Sequence, residues 1–148
     1  MRYNKILTVC AGNICRSPLA EQLLKPQLPA CFVASAGVTA WVGQGADPKI
    51  IDAAGRHHLD LNGLNEHTAK QLTPQMCIFA DLILVIEEKH IEAVAAIQPL
   101  ARSKTMLLGQ WTGQRNIPDP YRRDQAFFDK VYQQIAEACN IWAKKLSH

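Results

Sequence analysis

The chain has no long apolar run. A membrane-spanning helix needs about 18 or more consecutive apolar residues, and the longest stretches here, such as LILVI (82–86), have only the length of a strand. Membrane insertion is not expected. The N-terminus, MRYNKILTVCAGN, has one short apolar run that passes straight into a polar loop, which does not suit a signal peptide. An excess of one charge sign is also missing. Sixteen Lys and Arg stand against 13 Asp and Glu, and a net charge of +3 is too mild to argue for a nucleic-acid partner. There is no internal repeat, no linker and no low-complexity tract. The five cysteines are an odd number and suggest no disulfide framework, so free thiols in a reducing cytoplasm are expected. What is present is an ordinary globular composition, 48% hydrophobic and 20% charged over 148 residues. That is enough to bury a core, and residues 1–148 read as one domain.

Along the chain, short β-branched runs alternate with helical patterns. KILTV (5–9) reads as a buried strand, followed by a glycine-containing loop. Ser17 and Pro18 read as the N-cap and first position of a helix, which Pro26 should end or kink. CFVASAG (31–37), DLILVI (81–86) and KTMLL (104–108) read as further strands, and helices are expected at about 47–58 and over EEKHIEAVAAI (87–97). Thr73-Pro74 opens a short helical turn. In the last helix Phe128, Val131, Ile135, Ala138, Cys139, Trp142 and Leu146 recur at helical spacing. The alternation predicts an α/β structure, a parallel sheet with helices on both faces. Such sheets bind ligands at the carboxyl ends of their strands. The segment CAGNICRSP (10–18) lies there, between the first strand and the first helix.

That loop has the parts of an anion site. A helix N-terminus offers unpaired N–H groups and the positive end of a dipole. Gly12 and Asn13 tolerate positive φ, so successive N–H groups can turn inward as a nest. Arg16 adds a planar fork for two phosphate oxygens. The same field favours the thiolate of Cys10, to which Ser17 can donate a hydrogen bond. The product is an oxyanion cradle with a soft nucleophile at its base, suited to attack on phosphorus. Cysteine and arginine at this spacing alone are a weak signal, and the bland alternative is a buried structural cysteine. The surrounding strand, Gly-Asn and Ser-Pro make the stronger case. A leaving oxygen needs a general acid, for which Asp119 in IPDPYRR is the candidate. On spacing alone Asp119 reads as an ordinary Asp-Pro turn residue.

With both segments in view, the chain resembles the low-molecular-weight protein tyrosine phosphatases essentially end to end. VCAGNICRSP resembles the family's phosphate loop and DPY its acid loop. The resemblance implies a doubly wound four-stranded parallel sheet. It implies a phosphate cradle of Ala11, Gly12, Asn13, Ile14, Cys15, Arg16 and Ser17. Cys10 would be the nucleophile, Arg16 the clamp, and Asp119 the acid and then the base. Asn13 would hold the loop's left-handed turn, tied to Ser35 in ASAG and His67 in EHTAKQL. Lys70 departs from the arginine that the family carries in that last motif. His67 by itself would read as an ordinary surface histidine. Cys15 would be a redox partner for an oxidised Cys10, with space-filling as its plain alternative. Trp41 and Tyr121 would be aromatic walls around a phenyl ring. Relatives acting on phosphoarginine carry threonine where Ile14 stands, and an apolar Ile14 suits a phenyl ring better.

Within the family, GQWTGQRNIPDPYRR resembles the bacterial branch associated with exopolysaccharide export, although that branch often lacks a tryptophan at the position of Trp41. The resemblance implies, as partner, a phosphotyrosine protein: the tyrosine-rich tail of a membrane-bound tyrosine autokinase. Arg122 and Arg123 read either as steering groups for an acidic tail or as a solvated pair. No cofactor and no metal are expected, because the cradle supplies the positive field. Three rival readings fit the residues less well. An arsenate reductase of the same fold needs a relay pair of cysteines after the third strand, where EEKHIEAVAAI has none. Zinc on Cys10, Cys15, His57 and His58 matches no common spacing. A non-catalytic phosphotyrosine-binding module would usually lose Cys10 or Asp119.

Overall fold

The computed structural model describes residues 3–147. Four strands, β1 (Lys5–Cys10), β2 (Phe32–Gly37), β3 (Leu82–Val85) and β4 (Thr105–Leu107), form one sheet in the order β2-β1-β3-β4. All pairings are parallel. Six helices accompany them: α1 (Arg16–Leu24), α2 (Pro48–Arg56), α3 (Asn62–Glu66), α4 (Pro74–Phe79), α5 (Glu88–Ile97) and α6 (Gln125–Leu146). Among the described residues no helix is long and apolar enough to cross a membrane.

Side chains alternate across a strand, and β1 divides accordingly between two cores. Ile6 and Cys10 join the cluster under α1, α2 and α6, while Leu7 and Val9 join the one under α4 and α5. The seven α6 residues expected at helical spacing are all buried. Trp142 also donates its Nε1–H to the carbonyl of Leu108 at 2.8 Å, which satisfies its one polar atom inside the core.

Boundaries follow local chemistry. Asp47 caps α2 by accepting from Lys49 N, Thr73 caps α4 by accepting from Met76 N, and α1 stops at Leu24, just before Pro26. Two elements escaped the sequence reading. One is α3, five residues long with a glycine inside, and the other is a 3₁₀ turn at Pro99–Lys104. The expected cap at Ser17 needs correction. The helix begins at Arg16, with Cys15 as the capping position and no side-chain cap. Ser17 lies inside the first turn because its hydroxyl is engaged with the loop. Pro18 still sits where a helical N–H has no partner to lose.

Strand order reverses direction between β1 and β3, so the crevice falls beyond their carboxyl ends. The loop after β1 and residues 86–87 after β3 therefore face each other. Gly37, at the end of β2, is pressed against that loop: a Cβ there would lie 2.5 Å from the carbonyl oxygen of Ala11 and 3.1 Å from Asn13 Cβ. Gly37→Ala must displace loop backbone. Overpacking of this kind costs about 1–3 kcal/mol, or roughly 2–4 °C of Tm per kcal/mol at this size. A thermal melt checks it, and an unchanged Tm would show that the loop yields freely.

Candidate active site

The loop from Cys10 to Arg16 turns every carbonyl of residues 10–14 outward, and each finds a donor outside. Val38, Thr39 and Trp41 donate their N–H groups to the oxygens of Cys10, Ala11 and Gly12 at 3.0, 3.0 and 3.1 Å. Asp47 N donates to Ile14 O at 2.8 Å. His67 Nε2 donates to Asn13 O at 2.7 Å. The N–H groups of residues 11–16 have no protein acceptor among the described residues. They line a cavity of about 100 Å³ together with Thr39, Trp41, Asp119 and Tyr121. That is room for a few waters or one tetrahedral anion.

The reversal is carried by Asn13, which has a left-handed φ of 61°. Gly12, expected to share it, does not have positive φ. Asparagine is among the few residues that accept this conformation, and here its side chain is held on every side. Nδ2 donates to Ser17 Oγ at 2.9 Å and to Ser35 Oγ at 3.0 Å, and Oδ1 accepts from Lys70 N at 3.0 Å. Only the backbone of Lys70 takes part, so its departure from arginine leaves this contact intact. Ser35 in turn donates to Glu21 at 2.7 Å. Glu21 was not singled out in the sequence, because a glutamate inside a helix looks like surface.

Cys10 lies at the base of the cavity, buried, with Sγ 2.9 Å from Ser17 Oγ. That hydroxyl also accepts from Asn13 Nδ2 and lies 3.5 Å from the Ala36 carbonyl oxygen, to which it can donate. Cys15 is different. Burial pushes its thiol strongly upward, and Asp47, Cys10 and Asp119 add to the effect while Arg16 opposes it. The loop thus keeps Cys15 as a protonated thiol that does not compete as nucleophile.

Arg16 is 2% exposed. Its Nη1 donates to Glu87 Oε2 at 2.6 Å and to Ile117 O at 2.8 Å. Both bonds lie on one side of the guanidinium, leaving Nε and Nη2 as a fork for two oxygens. Glu87, the partner that the sequence reading missed, comes from the other side of the crevice. Ile117 begins the acid loop and ties it to β3 through Ile117 N and Ile86 O. Asp119 follows, with Oδ2 3.9 Å from Arg16 Nη2 and Oδ1 accepting from Tyr121 N at 3.0 Å. The proposed acid is therefore brought over the cradle from more than 100 residues away.

Trp41 and Tyr121 stand at the mouth, as expected, but they touch each other. Their ring centroids are 4.8 Å apart at 85°. A phenyl ring between two aromatic faces needs contacts of about 3.5–4 Å on each side, so the pair must part to admit one. Ile14 lines the same cavity. His57 stacks on Tyr132 and contacts Ala53 O and Gln133 through its two ring nitrogens, which leaves it no lone pair for a zinc ion. Cys77 and Cys139 are buried in α4 and α6, and burial raises both thiols, which does not suit a reductase relay. A larger apolar groove of about 420 Å³, lined by Phe32, Met76 and Phe79, has no cysteine in its lining.

Residues 5–148 match the family model described as low molecular weight phosphotyrosine protein phosphatase. The chain belongs to this family. It is 48% identical over 147 residues to the low molecular weight protein-tyrosine-phosphatase Etp of Escherichia coli K12, covering 99% of this chain and 97% of that protein. The crystal structure of the Erwinia amylovora tyrosine phosphatase AmsI superposes with a TM-score of 0.93 at 46% identity, covering 99% of this chain and 95% of that one. The Vibrio vulnificus protein Wzb in complex with benzylphosphonate also reaches 0.93, at 49% identity, covering 97% and 99%.

Two outcomes are expected of this phosphatase. Glu87→Gln leaves Arg16 buried with a weaker partner. Breaking such a pair costs about 3–5 kcal/mol when fully buried, and the lower end applies because Glu87 is partly exposed. A bound anion restores the missing charge, so inorganic phosphate should raise the Tm of the variant more than that of the wild type. An equal rise in both would sink the idea. The second concerns His90, which is buried, accepts from Glu87 N through Nδ1 at 3.2 Å, and has no partner for Nε2 among the described residues. Burial first, then Arg16 and Lys89, lower its pKa from 6.5 to about 4, against Glu87 and Asp119. The unfolded chain takes up this proton first, so stability is full above about pH 6.5 and is lost as pH falls through 4. Urea titrations from pH 7 to 4 should show that slope, reduced in His90→Asn.

Proposed function

We propose that the chain hydrolyses phosphotyrosine in proteins through a cysteinyl-phosphate intermediate. The observation that carries this reading is the inward ring of N–H groups with Cys10 beneath it and Asp119 above. The Cys10 thiolate attacks phosphorus in line, the phosphorus–oxygen bond to tyrosine breaks, and the Asp119 carboxyl gives its proton to the departing oxygen. Arg16 and the loop N–H groups hold the equatorial oxygens. Water then attacks the phosphorus, Asp119 takes its proton, and the sulfur–phosphorus bond breaks to return thiolate and free phosphate. Ser17 stabilises the departing sulfur.

Trp41, Tyr121 and Ile14 make the mouth apolar, which favours an aryl phosphate over a phosphorylated guanidinium. The resemblance to the exopolysaccharide-associated branch, together with relatives named Etp, Wzb and AmsI, supports the tail of a tyrosine autokinase as the target and the cytoplasm as the location. All five cysteines are unpaired. Cys15 serves as the redox partner: a Cys10 sulfenic acid condenses with its thiol to a disulfide, releasing water.

The test is phosphate release from an aryl phosphate with chelator present. Cys10→Ser should show no turnover, and Asp119→Ala should be slowed about 10²- to 10⁴-fold. The wild-type rate should peak at mildly acidic pH, because thiolate and protonated Asp119 must coexist. Turnover surviving in Cys10→Ser, or a rate still climbing above pH 8, would overturn the assignment.

A further inference from the structure

We propose that Arg122 is a specificity residue that reads a carboxylate side chain next to the phosphotyrosine of the substrate. The inference rests on the phosphotyrosine reading above and extends it to the neighbouring residues of the substrate. Arg122 and Arg123 are adjacent in sequence but differently placed. Arg123 lays its guanidinium 3.9 Å from the centroid of the Phe127 ring, and its carbonyl accepts from Lys49 Nζ at 2.7 Å. Its side chain packs on α6. Arg122 is exposed and rests its guanidinium 5.5 Å from the centroid of Tyr121, the wall of the mouth.

The backbone singles out Arg122 as well. Arg123 N donates to Pro120 O at 2.8 Å, closing a four-residue turn, and Arg122 has a φ of 66° while Tyr121 does not share the positive sign. That is the third position of a type II turn, which favours glycine or asparagine. A long side chain at that position is strained, and glycine would remove the strain. The arginine therefore stands at a position its backbone does not favour, with its side chain exposed beside the mouth.

Nearby carboxylates do not occupy it. Asp119 accepts from Tyr121 N, Asp124 caps α6 at Phe127 N, and Asp47 accepts from Lys49 N. Arg122 forms no ion pair among the described residues. A peptide whose ring enters between Trp41 and Tyr121 lays its backbone across the rim. A neighbour one or two residues along, roughly 3.5–7 Å away, then meets this guanidinium.

The experiment compares kcat/KM for two phosphotyrosine peptides that differ only by Glu or Gln beside the phosphotyrosine, in wild type, Arg122→Gly and Arg122→Lys. Wild type should favour the Glu peptide about 3- to 5-fold at low salt, near the upper limit for an exposed pair, and the ratio should approach one in high salt. Arg122→Gly, which suits the turn and so keeps the fold, should bring the ratio to one at low salt. Arg122→Lys should retain part of it. A wild-type ratio of one, or a ratio that survives in Arg122→Gly, overturns the proposal. Phosphate release from p-nitrophenyl phosphate by wild type is measured alongside. If that fails, the phosphatase reading falls. If it succeeds while the ratio is one, only Arg122 loses its role.

Discussion

An anion cradle made of backbone must turn its N–H groups in and its carbonyls out, and both sets must be satisfied. The outward set is satisfied by protein. Five successive carbonyls, from Cys10 to Asn13 and Ile14, take donors from residues 38, 39, 41, 47 and 67. Most of the first half of the chain is arranged to deliver those donors. β2 runs past its own end so that residues 38–41 continue along the loop, and the 67–70 segment closes from the other side. Gly37 has no side chain because the loop backbone occupies that space. The inward set is left to the ligand. Inward N–H groups with no protein acceptor suit an anion before any side chain takes part.

Arg16 adds the charge, and its burial brings the rest of the site together. A buried guanidinium needs partners on its remaining donors. Glu87 supplies one from the end of β3 and Ile117 O the other from the start of the acid loop. One side chain thereby joins three segments that meet only at the strand-order reversal. The same contact brings Asp119 beside the fork, its Oδ2 3.9 Å from Arg16 Nη2.

The legible parts of the sequence were those whose signal is local. β-branched runs placed all four strands to within a residue or two, and helical spacing placed the buried face of α6. The loop chemistry could be read because Cys10, Asn13, Arg16 and Ser17 lie within eight residues. Asn13 even announced its turn, being one of few residues suited to it. What could not be read depends on distant partners. Glu87 is 71 residues from Arg16, and nothing in EEKH marks one glutamate as a clamp. Glu21 looked like the solvent face of α1 until Ser35 met it. Ser17 was misplaced for a related reason: Ser-Pro is a good helix start locally, and only the neighbouring Asn13 and Cys10 draw the hydroxyl inward. The contact between Trp41 and Tyr121 depends on two loops 80 residues apart, which no local pattern reports.

The chain also separates its tasks by position. The loop backbone and the donors to its carbonyls all come from residues 10–70, while Arg16 is held from outside that span by Glu87 and Ile117 O. Asp119, Tyr121 and the exposed Arg122 all come from residues 117–123, fastened to the rest through Ile117 and Arg16. Such a loop can change its outer side chains without disturbing the cradle, because Tyr121 and Arg122 contribute no bond to residues 10–17 among those found. Affinity for phosphate is then common to any sequence that keeps the cradle. On the proposed function, choice among phosphorylated proteins would fall to this short turn, where Arg122, at positive φ, lies exposed beside Tyr121.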